Sequence, residues 1–122
     1  MQQVVTKFGG TSVSSLQTWE NIVTITQDHI LKGIQPIIVC SAMTQISNKL
    51  EQAIEAALLD KHQTIFNEIA QNHYQLILEL GLSNDLIQKE LDQLNKWLTG
   101  VALLKEAPAK TRAQILSLGE IM

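Results

Sequence analysis

A short run near the start of the chain combines the residue types that bind phosphate. Lys7-Phe8-Gly9-Gly10-Thr11-Ser12 contains one cation, two residues without a side chain and two hydroxyls. Glycines let backbone amides approach a phosphate, lysine supplies a positive charge, and hydroxyls can donate to a phosphate or carboxylate. The run has neither the Walker spacing nor the three spaced glycines of a dinucleotide site. Taken alone, it fits a phosphate site or an ordinary turn after a solvated lysine.

The residues around this run predict a strand followed by a helix. Residues 3–8 are short, branched and mostly apolar, which is typical of a buried strand that ends at Gly9-Gly10. Ser14 or Ser15 can cap the helix that follows. Apolar residues recur at helical spacing until Gly33, a residue type that ends helices.

A second strand is predicted after this helix. Pro36 precedes residues 37–40, an apolar run with three β-branched residues, which is typical of a strand covered on both faces. Strand, helix and strand then form a right-handed parallel unit. Loops 9–12 and 41–47 leave such a unit at the same carboxyl edge, so we expect residues far apart in sequence to meet there.

The rest of the chain is predicted to be helical. Apolar periodicity predicts three helices, the second ended by Gly81 and the third by Gly100, and a last helix that begins between Pro108 and Thr111. Two strands make an incomplete sheet, and the last pattern has no terminating signal, so we expect a part of a larger fold.

Composition limits the kinds of partner. The net charge of −3 offers no basic surface to nucleic acid or an anionic membrane. No window approaches the roughly 18 apolar residues of a membrane helix, and the start lacks a signal sequence. We expect a cytoplasmic protein without a nucleic-acid or membrane partner. The single cysteine, Cys40, excludes an internal disulfide and is expected to be buried and unreactive.

The histidines and the large aromatic residues are interpreted as structural. The histidines lie on separate predicted helices without metal-ligand spacing, so no metal site is expected; they are His29, His62 and His73. The aromatic residues at core spacing are Trp19, Phe66 and Trp97.

Residues 7–13, KFGGTSV, resemble the amino-terminal signature of the aspartate kinases. Residues 39–48 are similar to the second loop of that family, a strand that ends in Ser-Ala before a polar stretch. Residues 111–120 resemble its Thr-Arg and Ser-x-Gly-Glu segment. Ser47 stands where the family usually has Thr, and Thr44-Gln45 replaces small residues, often glycine. The resemblance covers the whole chain.

This resemblance implies the amino-acid-kinase (carbamate-kinase-like) fold, an α/β fold with a mostly parallel sheet and a helical hairpin insertion. Residues 1–122 would be the amino-terminal part of the catalytic domain, without the ATP-binding half and the regulatory domains. The full-length parent would use ATP and Mg²⁺ to phosphorylate the side-chain carboxylate of L-aspartate, the first step of the lysine, threonine and methionine branch. We expect a homo-oligomeric parent and an inactive fragment.

The same resemblance implies roles for single residues. Lys7 would stabilise the transferred phosphoryl group, and Gly9 and Gly10 would supply backbone amides. Aspartate would be held by Ser12, Ser41, Ser47 and Glu120. Glu120 would meet the α-ammonium group, directly or through water. A carboxylate nucleophile is already ionised at neutral pH, so the reaction needs alignment and charge neutralisation rather than a strong base.

Two other functions stay open. A kinase of the same fold that acts on glutamate, acetylglutamate or uridylate would usually begin with a Lys-Gly-Gly strand end. A non-catalytic module could use the amphipathic residues 50–98 to bind a partner helix.

The sequence around Ser14-Ser15 and Trp19 also resembles that of aspartate kinases that are fused to diaminopimelate decarboxylase.

Overall fold

The structure, a computed structural model that describes residues 2–122, contains a two-stranded sheet and five α-helices. The elements in chain order are β1 (Gln3–Phe8), α1 (Leu16–Leu31), β2 (Gln35–Cys40), α2 (Ile46–Leu58), α3 (Gln63–Leu80), a 3₁₀ helix (Asn84–Ile87), α4 (Gln88–Leu104) and α5 (Ala109–Ile121). No helix in these residues is both long and apolar enough to cross a membrane.

The strands pair in parallel, as predicted. The register runs from Gln3 opposite Gln35 to Phe8 opposite Cys40. The prediction that β2 is covered on both faces is wrong for this chain: residues 37–39 are 41–44% exposed. The physical reason is that residues 2–122 cover both faces of the sheet only partly, and each strand has only one neighbour.

Local side-chain chemistry sets both ends of α1. Ser15 is the N-cap: its hydroxyl accepts from the Thr18 amide, and the Thr18 hydroxyl accepts from the Ser15 amide, each at 3.3 Å. The two bonds satisfy donors that a helix start leaves unpaired. After the helix, Gly33 has a φ of 73°, which glycine adopts without a steric penalty. Both predicted boundaries are confirmed.

The helices of the predicted hairpin segment form a cluster around α2, which α5 joins. The largest fully buried side chains are Ile46, Leu50, Ile54, Ile69, Leu94, Leu98 and Ile115. Of the aromatic residues expected to pack, Phe66 and Trp97 are partly buried against this core. Gly81 ends α3 in the left-handed conformation, as predicted.

Gly100 does not end α4, contrary to the prediction. The helix continues to Leu104 and ends at Lys105, which has a φ of 55°. Val101 is only 2% exposed and continues the buried stripe of this helix. Burial of a valine side chain contributes roughly 1.5–3 kcal/mol, more than the approximately 1 kcal/mol that a glycine costs inside a helix.

Candidate functional site

The glycine turn after β1 and the loop after β2 meet at the carboxyl edge of the sheet. The Ser41 amide donates to the Phe8 carbonyl at 3.0 Å. Gly10 lies directly against the second loop: a Cβ atom on it would be 2.9 Å from the Ala42 carbonyl oxygen and 3.3 Å from the Thr44 nitrogen. The prediction that the two loops come together is therefore confirmed.

Ser14 connects these two loops through its hydroxyl. The group donates to the Gly10 carbonyl and accepts from the Thr44 amide at 2.9 Å. Its oxygen is also 3.2 Å from the Thr44 hydroxyl oxygen. The sequence did not predict this link, because nothing in the local pattern around Ser14 reveals a partner thirty residues away.

Gly9 and Gly10 differ in their surroundings. The turn is closed by the Ser12 amide on the Gly9 carbonyl at 3.0 Å and the Val13 amide on the Gly10 carbonyl at 3.3 Å. Within residues 2–122, the amides of Gly9, Gly10 and Thr11 donate no hydrogen bond. Nothing lies within 4 Å of a Cβ atom placed on the exposed Gly9. An anion can therefore approach Gly9, whereas the second loop fills the space beside Gly10.

Lys7 lies at the same edge, one residue before the end of β1 and opposite Val39 in the register. Its side chain is exposed and forms no ion pair with another side chain of residues 2–122. Its charge is therefore not neutralised by another side chain of residues 2–122, although an exposed lysine at a strand end also needs no partner.

Ser41 and Glu120 line one cleft of about 870 Å³. Most of the other lining residues are apolar and come from α1, α3 and α5. Cys40 is only half-buried, so its predicted burial is not complete: it packs against the cluster of Phe8, Val13 and Ile22 and also lines this cleft. Two predicted aspartate-binding residues thus share one opening.

Gly119 positions Glu120. A Cβ atom on the buried Gly119 would be 2.9 Å from Leu50 Cδ1 and 3.4 Å from Ala42 Cβ. The absence of a side chain lets α5 lie close to α2 and to the second loop. The motif that contains Gly119 does not reveal this packing role, because Leu50 and Ala42 are distant in sequence.

Ser12 and Ser47 occupy other positions. Ser12 is half-buried within the glycine turn, and Ser47 is exposed in the first turn of α2. Neither lines the cleft that Ser41 and Glu120 share. Before Ser47, Gln45 adopts a left-handed φ of 68°, and its side-chain oxygen accepts from Asn48 Nδ2 at 2.9 Å. The structure therefore does not bring all four predicted aspartate-binding residues into one cleft.

His73 is the buried titratable group beside the cleft. It is 3% exposed, and Nδ1 lies 2.8 Å from the Ile69 carbonyl oxygen, so Nδ1 carries the donated proton. Loss of hydration lowers the pKa of His73 below its ordinary value of 6.5, and the hydrogen bond to Ile69 opposes this shift. The imidazole is therefore neutral near pH 7.

The other predicted structural residues are also packed. His62 is 8% exposed, and the indole nitrogen of Trp19 donates to the Val13 carbonyl at 2.8 Å. In the described part of the chain, no three His, Cys, Asp or Glu side chains are grouped so as to hold a metal ion.

Comparison with known proteins assigns the chain to a family. The model of the amino acid kinase family matches residues 2–122. The chain belongs to the amino acid kinase family. This match confirms the predicted fold. The resemblance to the aspartate kinases is also confirmed, because the curated relatives described next are aspartokinases.

Aspartokinase 2, chloroplastic, of Arabidopsis thaliana is 32% identical over 97% of this chain. The bifunctional aspartokinase/homoserine dehydrogenase of Buchnera aphidicola is 28% identical over 95% of it. The chain spans only 22% and 15% of the length of these two relatives.

A solved structure with the same fold is that of E. coli aspartokinase III in complex with aspartate and ADP. Its TM-score is 0.78 with 22% sequence identity, and the match covers 99% of this chain and 26% of that chain. This chain therefore corresponds to only one part of that longer protein.

Proposed function

We propose that the complete protein containing this segment is an aspartate kinase, which transfers the γ-phosphoryl group of ATP to the side-chain carboxylate of L-aspartate. One observation carries the proposal: the glycine turn beside Lys7 meets the second loop, and Ser41 of that loop shares a cleft with Glu120. The turn that would bind phosphate thus lies against the loop that contributes Ser41 to the cleft, while Lys7, Gly9 and Gly10 do not themselves line that cleft.

The proposed reaction is a single displacement at phosphorus. A carboxylate oxygen of aspartate forms a new P–O bond while the bond to the departing ADP breaks and its electron pair leaves with ADP. Lys7 and the free amide of Gly9 would offset negative charge on the transferred group, which is the main contribution a protein makes to phosphoryl transfer. No general base is required, because the attacking carboxylate is already ionised.

Aspartate itself would be held from the cleft side. Ser41 can donate a hydrogen bond to a carboxylate, and Glu120 can pair with the α-ammonium group. Glu120 near the reacting carboxylate would be unfavourable, so the proposal orients the ammonium group toward Glu120 and the side chain toward Lys7. Ser12 and Ser47 are proposed to contact aspartate from the turn and from the start of α2.

Residues 2–122 contain no group of three or more His, Cys, Asp or Glu side chains that could hold Mg²⁺. Mg²⁺ and most of ATP are proposed to bind parts of the complete protein outside residues 1–122, the amino-terminal part of its catalytic domain. Those parts would also cover the exposed residues 37–39. The isolated segment is then expected to be inactive. The place in lysine, threonine and methionine synthesis, the homo-oligomer and the cytoplasmic location stay predictions.

The test is a comparison of acceptors with the complete gene product. ADP release from ATP would be measured with L-aspartate, L-glutamate, N-acetyl-L-glutamate and UMP, each with Mg²⁺. Aspartate should give the highest kcat/KM, and Lys7→Ala should abolish most of that activity. Preferential phosphorylation of another acceptor would overturn the proposal in favour of a different kinase of the family.

A further inference from the structure

We propose that Ser14 is a positioning residue, whose hydroxyl locks the second loop to the glycine turn in the geometry needed for phosphoryl transfer. The effect on catalysis rests on the function proposed above. The lock itself is a separate claim about the structure and has its own measurement.

The Ser14 hydroxyl is placed between two peptide groups that belong to different loops. It donates to the Gly10 carbonyl and accepts from the Thr44 amide at 2.9 Å. Because a hydroxyl has one proton and two lone pairs, it can also interact with the Thr44 hydroxyl oxygen 3.2 Å away. One side chain thus links the backbone beside Lys7 to the backbone that follows Ser41.

Ser14 is itself held on both sides. The preceding Val13 is 3% exposed, and its carbonyl accepts from the Trp19 indole at 2.8 Å. The following Ser15 is the N-cap of α1 and forms reciprocal bonds with Thr18. The Ser14 backbone is therefore anchored to the core and to a helix start, which gives its hydroxyl a fixed position from which to hold a loop.

The second loop needs an external contact of this kind. Gln45, next to Thr44, has a φ of 68°. This left-handed conformation costs a non-glycine residue about 1–2 kcal/mol and persists only where surrounding contacts hold it. Without the Ser14 bonds, the loop could relax and move Ser41 relative to Lys7. A displacement of roughly 1 Å can lower a rate about 100-fold.

The lock is tested by hydrogen exchange of the Thr44 amide in the complete protein. Ser14→Ala should raise its exchange rate by about 10-fold, the loss of one typical hydrogen bond, and Ser14→Thr should retain protection. Ser83→Ala is the matched control: the Ser83 hydroxyl caps the 3₁₀ helix by accepting from the Asp85 amide and forms no hydrogen bond to either loop, so Thr44 should stay protected. Unchanged protection of Thr44 in Ser14→Ala would overturn the lock, whatever reaction the protein catalyses.

Steady-state kinetics test the consequence for catalysis. Ser14→Ala should lower kcat by at least about 10-fold with the KM for ATP unchanged, while Ser14→Thr and Ser83→Ala stay near wild type. A kcat equal to wild type in Ser14→Ala, with active wild-type enzyme, would overturn the positioning role. If the acceptor comparison fails for aspartate, the same kinetics are measured with the preferred acceptor, so the two proposals fail separately.

Discussion

Gly119 lies so close to Leu50 that a methyl carbon on it would be 2.9 Å from Leu50 Cδ1. Leu50 is fully buried, so its side chain has little room to move. The contact sets the distance between α5 and α2, and the next residue, Glu120, lines the cleft with Ser41. A packing constraint in the core thus decides where a candidate substrate-binding group lies.

Gly119→Ala should lower the free energy of unfolding by about 1–3 kcal/mol, because an extra methyl group overpacks this contact. It should also raise the KM for aspartate, since α5 must shift and carry Glu120 with it. Urea denaturation and steady-state kinetics of the complete protein would measure the two effects. Gly100→Ala is the matched control: nothing lies within 4 Å of its Cβ position, and it should stabilise by about 0.5–1 kcal/mol. Equal stabilisation by both variants would show that the Gly119 contact is not tight.

The two glycines of the turn should respond differently to alanine. Gly10→Ala places Cβ 2.9 Å from the Ala42 carbonyl oxygen, a backbone atom that cannot rotate away, and should destabilise by about 1–3 kcal/mol. Gly9→Ala meets no atom and should change stability by less than about 0.5 kcal/mol. It should nevertheless lower kcat/KM for ATP, because the methyl group narrows the approach to the free amides. Thermal unfolding and ADP release would separate these outcomes, and similar losses of stability would contradict the proposed division of roles.

Lys7→Ala should reduce kcat by about 100-fold or more, the usual effect of removing one group that stabilises transition-state charge. The free energy of unfolding should change by less than about 0.5 kcal/mol, because Lys7 is exposed. Lys32→Ala serves as the control. Lys32 is also an exposed lysine, but it lies at the carboxyl end of α1 and pairs with Asp28 at 2.9 Å. The assay is initial-rate ADP release at saturating substrates. A wild-type kcat in Lys7→Ala would remove Lys7 from the mechanism.

His73 should make the protein less stable in acid. Burial lowers the pKa of His73 in the folded state below its ordinary value of 6.5, so the unfolded chain binds more protons as the pH falls below 6.5. Stability therefore decreases on acidification, down to the folded pKa, with a slope of at most about 1.4 kcal/mol per pH unit for one proton. Urea denaturation between pH 7.5 and pH 5 would measure this decrease in the free energy of unfolding for wild type and for His73→Gln. The variant should lack this part of the slope, and parallel curves would show that His73 does not titrate in this way.

The local parts of the fold could be predicted because their causes lie within a few residues. The Ser15 cap acts on Thr18, and Gly33 and Gly81 adopt left-handed conformations directly after their helices. Gly100 is also a glycine but does not end its helix, because burial of Val101 in the core cluster keeps α4 helical. Local signals fail where a tertiary contact stabilises the alternative.

The candidate site was predictable in part. Parallel strand order alone indicated that the loops after β1 and β2 share one edge, which the structure confirms. The anion site predicted from the glycine run stays a prediction. The pairing of Ser14 with Thr44 and the packing of Gly119 on Leu50 were not predictable, because each joins segments distant in sequence. For Ser12 and Ser47 the motif was misleading. Their positions in it predicted that they hold aspartate together with Glu120, but neither lines the cleft that Glu120 lines.

The amino-acid sequence by itself determined the elements, their order and the resemblance to the aspartate kinases, since periodicity, caps and a contiguous motif act at short range. Only the tertiary structure decided which glycine is open and which is packed, which serine holds the two loops together, and how Glu120 reaches the cleft of Ser41. Those outcomes depend on how closely buried groups from distant segments approach each other, and close packing in three dimensions is not encoded in any single local pattern.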